Sequence, residues 1–202
     1  MTQSTPTVPP SELRRLDSPG ATALAELIAR FEDLQTVLRC CERLVTELGA
    51  KDSEPDDVVI EAVWTVALLS YGRCFSADGA GPALTEDDIT ATQSAGDVLT
   101  WHRVLLQLRD HYADPSANPR EQFSVGVAQD TNGAASGVAI TSVRQPLVDD
   151  LTVRQTGAMA FGLSALVNDR IAAQQAKLFD EVKQTPKAAL DKLIRLEVAE
   201  AH

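Results

Sequence analysis

Apolar side chains recur every three or four residues along most of the chain, which is the spacing of one face of an α-helix. The pattern is strongest over residues 21–48, where charged residues occupy the opposite face and Gly49 provides a stop. The same spacing predicts further helices over residues 56–76, 85–93, 95–112 and 149–183. The second of these is apolar on more than one face, which is typical of a central helix in a bundle.

Two short segments follow an alternating pattern instead. Residues 122–128 and 137–143 place apolar side chains at alternate positions, and Asn132 and Gly133 lie between the two segments. An Asn-Gly pair flanked by alternating segments is a strong signal for a tight hairpin turn. We therefore predict an antiparallel β-hairpin over about residues 122–143. Because two strands alone are marginal in water, we expect the hairpin to pack on the helices or on a partner.

The two ends of the chain differ from its middle. Residues 1–20 carry Ser, Thr and Pro and predict a flexible arm. Thr185 followed by Pro186 is typical of a new helix start, and apolar residues beyond it share one side. The sequence thus predicts a mainly α fold in three parts. These are the arm over 1–20, a bundle of four to five helices with the inserted hairpin over 21–184, and a C-terminal amphipathic helix over 185–202.

Composition narrows the class of protein. Aromatic residues make up only 4% of the 202 residues, so the core must be built from Leu, Val, Ile and Ala, which favours helices. The net charge of -11 disfavours attraction to nucleic acid and to anionic lipid. Three cysteines, without regular spacing, do not form a secreted disulfide framework. We find no signal peptide and no apolar segment near the ~20 residues of a membrane span, and expect a cytoplasmic protein with no membrane contact.

The candidate chemistry lies at the end of the fourth predicted helix. Arg109, Asp110 and His111 are consecutive, and His102 precedes Arg109 by two turns on the same face. Arg109 could bind a phosphate or a carboxylate, and an imidazole beside it could transfer protons near neutral pH. The structural alternative is that Arg109 pairs with a carboxylate such as Asp110 or Asp114, and that both histidines are half-exposed helix residues.

No motif for a metal or a cofactor accompanies these residues. The chain has no Cys-x-x-Cys pair, no His-Glu-x-x-His and no Glu-x-x-His motif. Gly79 and Gly81 lie in a loop, but no Gly-Lys-Ser/Thr follows them. We therefore predict neither a metal site nor a cofactor.

Three segments follow one another in a recognisable order. The apolar second helix ends in Ser-Tyr-Gly-Arg-Cys-Phe (70–75), and the helix with the candidate residues ends in Leu-Arg-Asp-His-Tyr-Ala-Asp (108–114). An Asn-Pro-x-Glu loop (118–121), the hairpin and a long helix come next. Over about residues 21–183 this order resembles the HEPN superfamily, which comprises helical-bundle proteins of toxin–antitoxin, abortive-infection and RNA-processing systems.

The resemblance implies a particular site. Active members carry Arg, a polar residue and then His after a gap of four to six residues, and they cleave RNA without metal across a dimer interface. There the arginine steadies phosphate charge and the histidine takes part in proton transfer. Arg109 and Asp110 match the first two positions, but Asp114, Pro115 and Ser116 occupy those of the histidine, and His111 comes too early. The resemblance therefore implies a degenerate catalytic site.

Three functions remain open from the sequence. The first is a HEPN-like homodimer that acts by interaction with a protein partner, in a defence, toxin–antitoxin or regulatory complex. The second is a metal-independent ribonuclease that uses Arg109 with His102 or His111, with RNA disfavoured by the net charge. The third is a structural helical scaffold unrelated to that family. A homodimer is expected because the second helix, the hairpin and the C-terminal segment all present apolar surface.

Overall fold

Four long helices and one β-hairpin make up most of the fold. The structure, a computed structural model, describes residues 12–50, 55–76, 83–92, 96–116 and 118–197. Its elements in chain order are β1 (Leu13–Arg14), α1 (Pro19–Leu48), α2 (Asp57–Cys74), α3 (Glu86–Ala91), α4 (Val98–Ala113), β2 (Glu121–Gln129), β3 (Ala135–Arg144), α5 (Asp150–Val182), α6 (Lys187–Leu190) and β4 (Arg195–Leu196). The prediction of a mainly α bundle with one inserted antiparallel hairpin is confirmed. Within the described ranges, no helix combines the length and the apolar character needed to cross a membrane.

Local capping explains why the helices begin close to their predicted positions. The hydroxyl of Ser18 accepts a hydrogen bond from the backbone N–H of Ala21, and Pro19 occupies the first turn of α1. Asp149 caps α5 in the same way, through the N–H of Thr152 at 2.7 Å. These caps satisfy backbone donors that have no partner inside the helix. The starts of α1 and α5 are therefore encoded within a few residues of the boundary.

Helix α1 is central to the core because it contacts both α2 and α5. Gln35 donates to Ser164, and Gln174 donates to the carbonyl of Gly20, so α1 and α5 run antiparallel. Helix α4 packs on α2, and α3 contacts both α4 and α5. The fully buried side chains at these contacts are mostly aliphatic, among them Leu34, Val37, Leu44, Ile60, Leu68, Leu105, Leu163 and Val167.

The hairpin of β2 and β3 projects away from the bundle. Its register pairs Val125 with Ile140 near the middle of both strands. In the turn, Gly133 has a φ of +82°, which glycine adopts without steric cost, and Asp130 accepts hydrogen bonds from two backbone N–H groups. Nearly every residue of both strands is exposed. Of the two expected arrangements, packing on the helices is therefore absent in the single chain, and packing on a partner stays a prediction.

The C-terminal segment differs from the predicted amphipathic helix over 185–202. Helix α6 ends at Leu190, and the chain then turns into β4, which pairs with β1 in antiparallel register. The guanidinium of Arg14 donates to the carbonyls of Asp191 and Leu193, which would otherwise serve a continuing helix. The prediction fails because long-range strand pairing competes with the apolar spacing of this segment.

The N-terminal segment makes contacts that the sequence did not predict. Residues 1–11 and 198–202 lie outside the described residues. Of the predicted arm over 1–20, Leu13–Arg14 form β1, and α1 already begins at Pro19. The segment before α1 is therefore tied to the segment after α5.

Candidate functional site

The four candidate residues lie on α4, but they do not face one common surface. His102 and Arg109 point toward α2, where His102 meets Phe75 with ring centroids 4.4 Å apart and Arg109 lies against Gly72. Asp110 and His111 are exposed. Successive helix positions point about 100° apart, so the three consecutive residues diverge. The structure thus separates Asp110 and His111, which face solvent, from His102 and Arg109, which face α2.

Arg109 lies across a glycine of α2. A Cβ atom added to Gly72 would be only 2.3 Å from Cδ of Arg109 and 3.0 Å from its Nη1. The arginine therefore fills space that a side chain at position 72 would need. Its Nε and Nη2 donate to Oδ1 of Asp110 at 2.9 and 2.6 Å. The pairing of Arg109 with Asp110, which the sequence offered as the structural alternative, is present.

His102 belongs to the core. The residue is 3% exposed, and its Nδ1 lies 2.8 Å from the hydroxyl oxygen of Tyr71. The same hydroxyl donates to Sδ of Met159 at 3.0 Å, so this polar cluster links α2, α4 and α5. The imidazole also contacts the rings of Tyr71 and Phe75. His102 is therefore neither half-exposed nor placed in an open groove beside Arg109, and both of those interpretations are corrected.

The stability of the bundle should depend on the protonation of His102. Burial lowers the pKa of its imidazole below the usual 6.5, and the charge of Arg103 lowers it further, while Glu86 opposes the shift. The unfolded chain binds a proton at the ordinary pKa, so acidification favours unfolding. In urea titrations at several pH values, we expect the free energy of unfolding to fall below about pH 6.5, by at most about 1.4 kcal/mol per pH unit. Above about pH 7 this contribution should be constant.

An exposed histidine on the same helix provides a matched control for this pH dependence. The slope should persist in His111→Gln and disappear in His102→Gln. A slope that survives His102→Gln would assign the effect to other groups and contradict the prediction.

Asp114 stands at the first position where the family pattern expects histidine. Its Oδ1 accepts hydrogen bonds from the hydroxyl of Ser116 at 2.7 Å and from the backbone N–H of Ser116 at 2.8 Å. These bonds, and to a smaller extent the charge of His111, lower the pKa of the carboxyl. Asp114 is therefore a carboxylate near neutral pH and has no proton to donate.

Four charged residues meet at the base of the hairpin, and the sequence analysis missed them. Arg120 pairs with Glu61 at 2.5 Å, and Arg144 pairs with Asp57 at 2.6 Å, so both strands are tied to α2. Glu61, Arg120 and Arg144 line a cavity of about 340 Å³ next to Tyr112, whose pKa is raised by burial and by the charge of Glu61. The sequence signal for this cluster was a pair of acids one turn apart on a helix, together with an arginine at the outer end of each strand. Nothing in that signal says that the two pairs meet.

The cations of this region already have carboxylate partners. Arg109 pairs with Asp110, and Arg120 pairs with Glu61. Each carboxylate offsets part of the positive charge beside it and so weakens the attraction of that arginine for an anion. Among the residues that the structure describes, no group of three His, Cys, Asp or Glu side chains could hold a metal ion. Comparison of the chain with protein-family models, with curated proteins and with solved structures finds no match.

Proposed function

We propose that this chain is a HEPN-like cytoplasmic protein that forms a homodimer and acts by interaction rather than by cleaving RNA. Its partners would be proteins of a defence, toxin–antitoxin or regulatory complex. The order of the elements supports the proposal, because the hairpin follows the helix that ends in the Arg-Asp pair and precedes the longest helix. The observation that carries it is Asp114, a turn carboxylate where an active member has histidine.

Proton transfer is the step that such a site lacks. Cleavage of RNA through its 2′-hydroxyl needs one group that removes a proton and another that supplies one. Asp114 is held as an anion by Ser116, and His102 is enclosed in the core. His111 follows Arg109 by two positions and so projects from a different side of α4. Arg109 alone could attract a phosphate, but without a group that transfers protons the site would bind RNA and not cleave it.

The ribonuclease alternative retains one supporting observation, which is the exposure of His111. An exposed imidazole can reach a substrate, whereas that of His102 cannot. The net charge of -11 weighs against RNA as the substrate. The scaffold alternative needs no site at all, so a monomer without any activity would favour it.

Incubation of the purified chain with RNA in the presence of EDTA tests the proposal. We expect any cleavage of RNA to be the same in the natural chain and in Arg109→Ala. Light scattering of the natural chain should give the mass of a dimer. Arg103→Ala is the matched control, because Arg103 is another arginine of α4 that pairs with a carboxylate, Glu86 at 2.9 Å. Cleavage that is lost in Arg109→Ala and kept in Arg103→Ala would establish an enzyme and overturn the proposal.

A further inference from the structure

The hairpin presents an apolar surface to solvent. Alternate residues of β2 and β3 place their side chains on one side of the ribbon, and the register pairs them across the strands. This apolar face of the hairpin consists of Phe123, Val125, Val127, Val138 and Ile140, which are 57% to 74% exposed. The opposite face carries mostly small or polar residues. A sheet with one apolar side is typical of a sheet that covers a core, yet here the apolar side chains are exposed.

Both strands are also free of charge between their ends, and the described ion pairs between the hairpin and the bundle lie at its base. Residues 122–129 and 135–143 contain no charged side chain. The two ion pairs at the base tie the ribbon to α2 and set the direction in which it leaves the bundle. A two-stranded ribbon is marginal in water, so its apolar face needs a cover.

A second neutral, apolar surface lies along α2. This α2 stripe consists of Val58, Ala62, Val66 and Leu69, and its three larger side chains are 37% to 76% exposed. With a rise of about 1.5 Å per residue, the stripe is about 16 Å long. The apolar face from Phe123 to Val127 is about 14 Å long, at about 3.4 Å per residue. The two surfaces therefore match in length and in their lack of charge.

We propose that a second copy of this chain covers the hairpin, and that each copy lays the apolar face of its hairpin on the α2 stripe of the other. This contact rests on the dimer of the proposed function and specifies how that dimer is made. Two chains that each carry a charge of -11 repel one another, so they approach best where both surfaces are uncharged. The chain supplies both complementary surfaces, which is the condition for a closed twofold contact.

Interface area distinguishes this exchange from a contact in which two hairpins pack face to face. The apolar face of the hairpin, about 14 Å long and about 10 Å wide, offers about 140 Å². Face-to-face packing is one contact and buries roughly 280 Å² in total, whereas the exchange makes two contacts and buries roughly 560 Å². The exchange therefore buries about twice the area, and it comes closer to the size of about 1,200 Å² at which specific interfaces begin.

Charge substitutions with matched controls test the exchange. By light scattering, Ile140→Asp on the hairpin and Val66→Lys on the α2 stripe should each reduce the measured mass from two chains to one. Thr141→Asp, on the opposite face of the same strand, and Phe161→Lys, an exposed position of α5, should remain dimers. Helical circular dichroism and thermal melting of each variant establish that the bundle is folded.

Mixing the two monomeric variants gives the decisive result. A heterodimer of Ile140→Asp with Val66→Lys has one unchanged contact and one contact with opposite charges, so the mixture should form dimers with one chain of each kind. A mixture that stays monomeric, or a Val66→Lys variant that stays dimeric, overturns the exchange and leaves the dimer intact. A natural chain that is monomeric overturns the exchange and the dimer together. RNA cleavage that depends on Arg109 in an exchanged dimer overturns the proposed function alone.

Discussion

Asp114→His should give the chain a metal-independent RNA-cleaving activity that depends on Arg109. The substitution places an imidazole where the family pattern has one, and it removes a carboxylate that repels phosphate. A positioned acid or base contributes about 10²- to 10⁴-fold to such a reaction, so cleavage should rise over the natural chain by about that factor. Cleavage of a labelled RNA in EDTA measures the effect.

The double variant Arg109→Ala/Asp114→His is the first control for this gain of activity, and it should return cleavage to the level of the natural chain. Asp110→His is the second control, because it also replaces an aspartate near Arg109 by histidine, but at a position outside the gap of four to six residues. An Asp114→His chain that folds, dimerises and leaves RNA intact would contradict the resemblance on which the proposed function rests.

His102→Ala should lower the free energy of unfolding by about 2–4 kcal/mol, because it opens a cavity and removes one of the two hydrogen-bond partners of a buried hydroxyl. That hydroxyl belongs to Tyr71, and burial raises its pKa, so it remains a protonated group that needs a hydrogen bond. Tyr71→Phe, which removes the hydroxyl itself, should lower the free energy of unfolding by about 1–3 kcal/mol. Urea unfolding at neutral pH gives both values.

The exposed histidine again serves as the control for this loss of stability. His111→Ala should change the free energy of unfolding by no more than about 0.5 kcal/mol, as is usual for surface positions. Equal effects of His102→Ala and His111→Ala would place His102 outside the core and reopen its catalytic role.

Local signals account for the parts of the fold that the sequence predicted well. Ser18 and Pro19 start α1, and Asn132 and Gly133 form the hairpin turn, so each signal lies at the structure that it specifies. The C-terminal helix failed for the opposite reason. Its carbonyls are taken by Arg14, which lies 177 residues before the nearer acceptor, Asp191. Apolar spacing contains no information about a competitor so distant in the chain.

The candidate site shows the same division between local and distant information. His102 lies four residues after Val98 and three before Leu105, so helical spacing already places it on the buried face of α4. Its partner Tyr71 lies 31 residues away, and only the fold shows that the two side chains meet. A buried histidine needs such a partner, so spacing indicated the burial of His102 but not the hydrogen bond that makes this burial possible. Asp114 and Ser116, two residues apart, were within reach of sequence analysis because turn carboxylates bond to N–H groups two residues on.

The missing side chain of Gly72 makes two distant positions of the chain interdependent. An alanine would favour helix α2 by about 1 kcal/mol in an isolated helix, but its methyl group would occupy the place of the Arg109 side chain. A gain in helix propensity at one position would thus expel the guanidinium at the other. In related sequences, residues 72 and 109 should therefore vary together. Where a residue with a side chain replaces Gly72, the side chain at position 109 must adopt another conformation or be replaced by a smaller one.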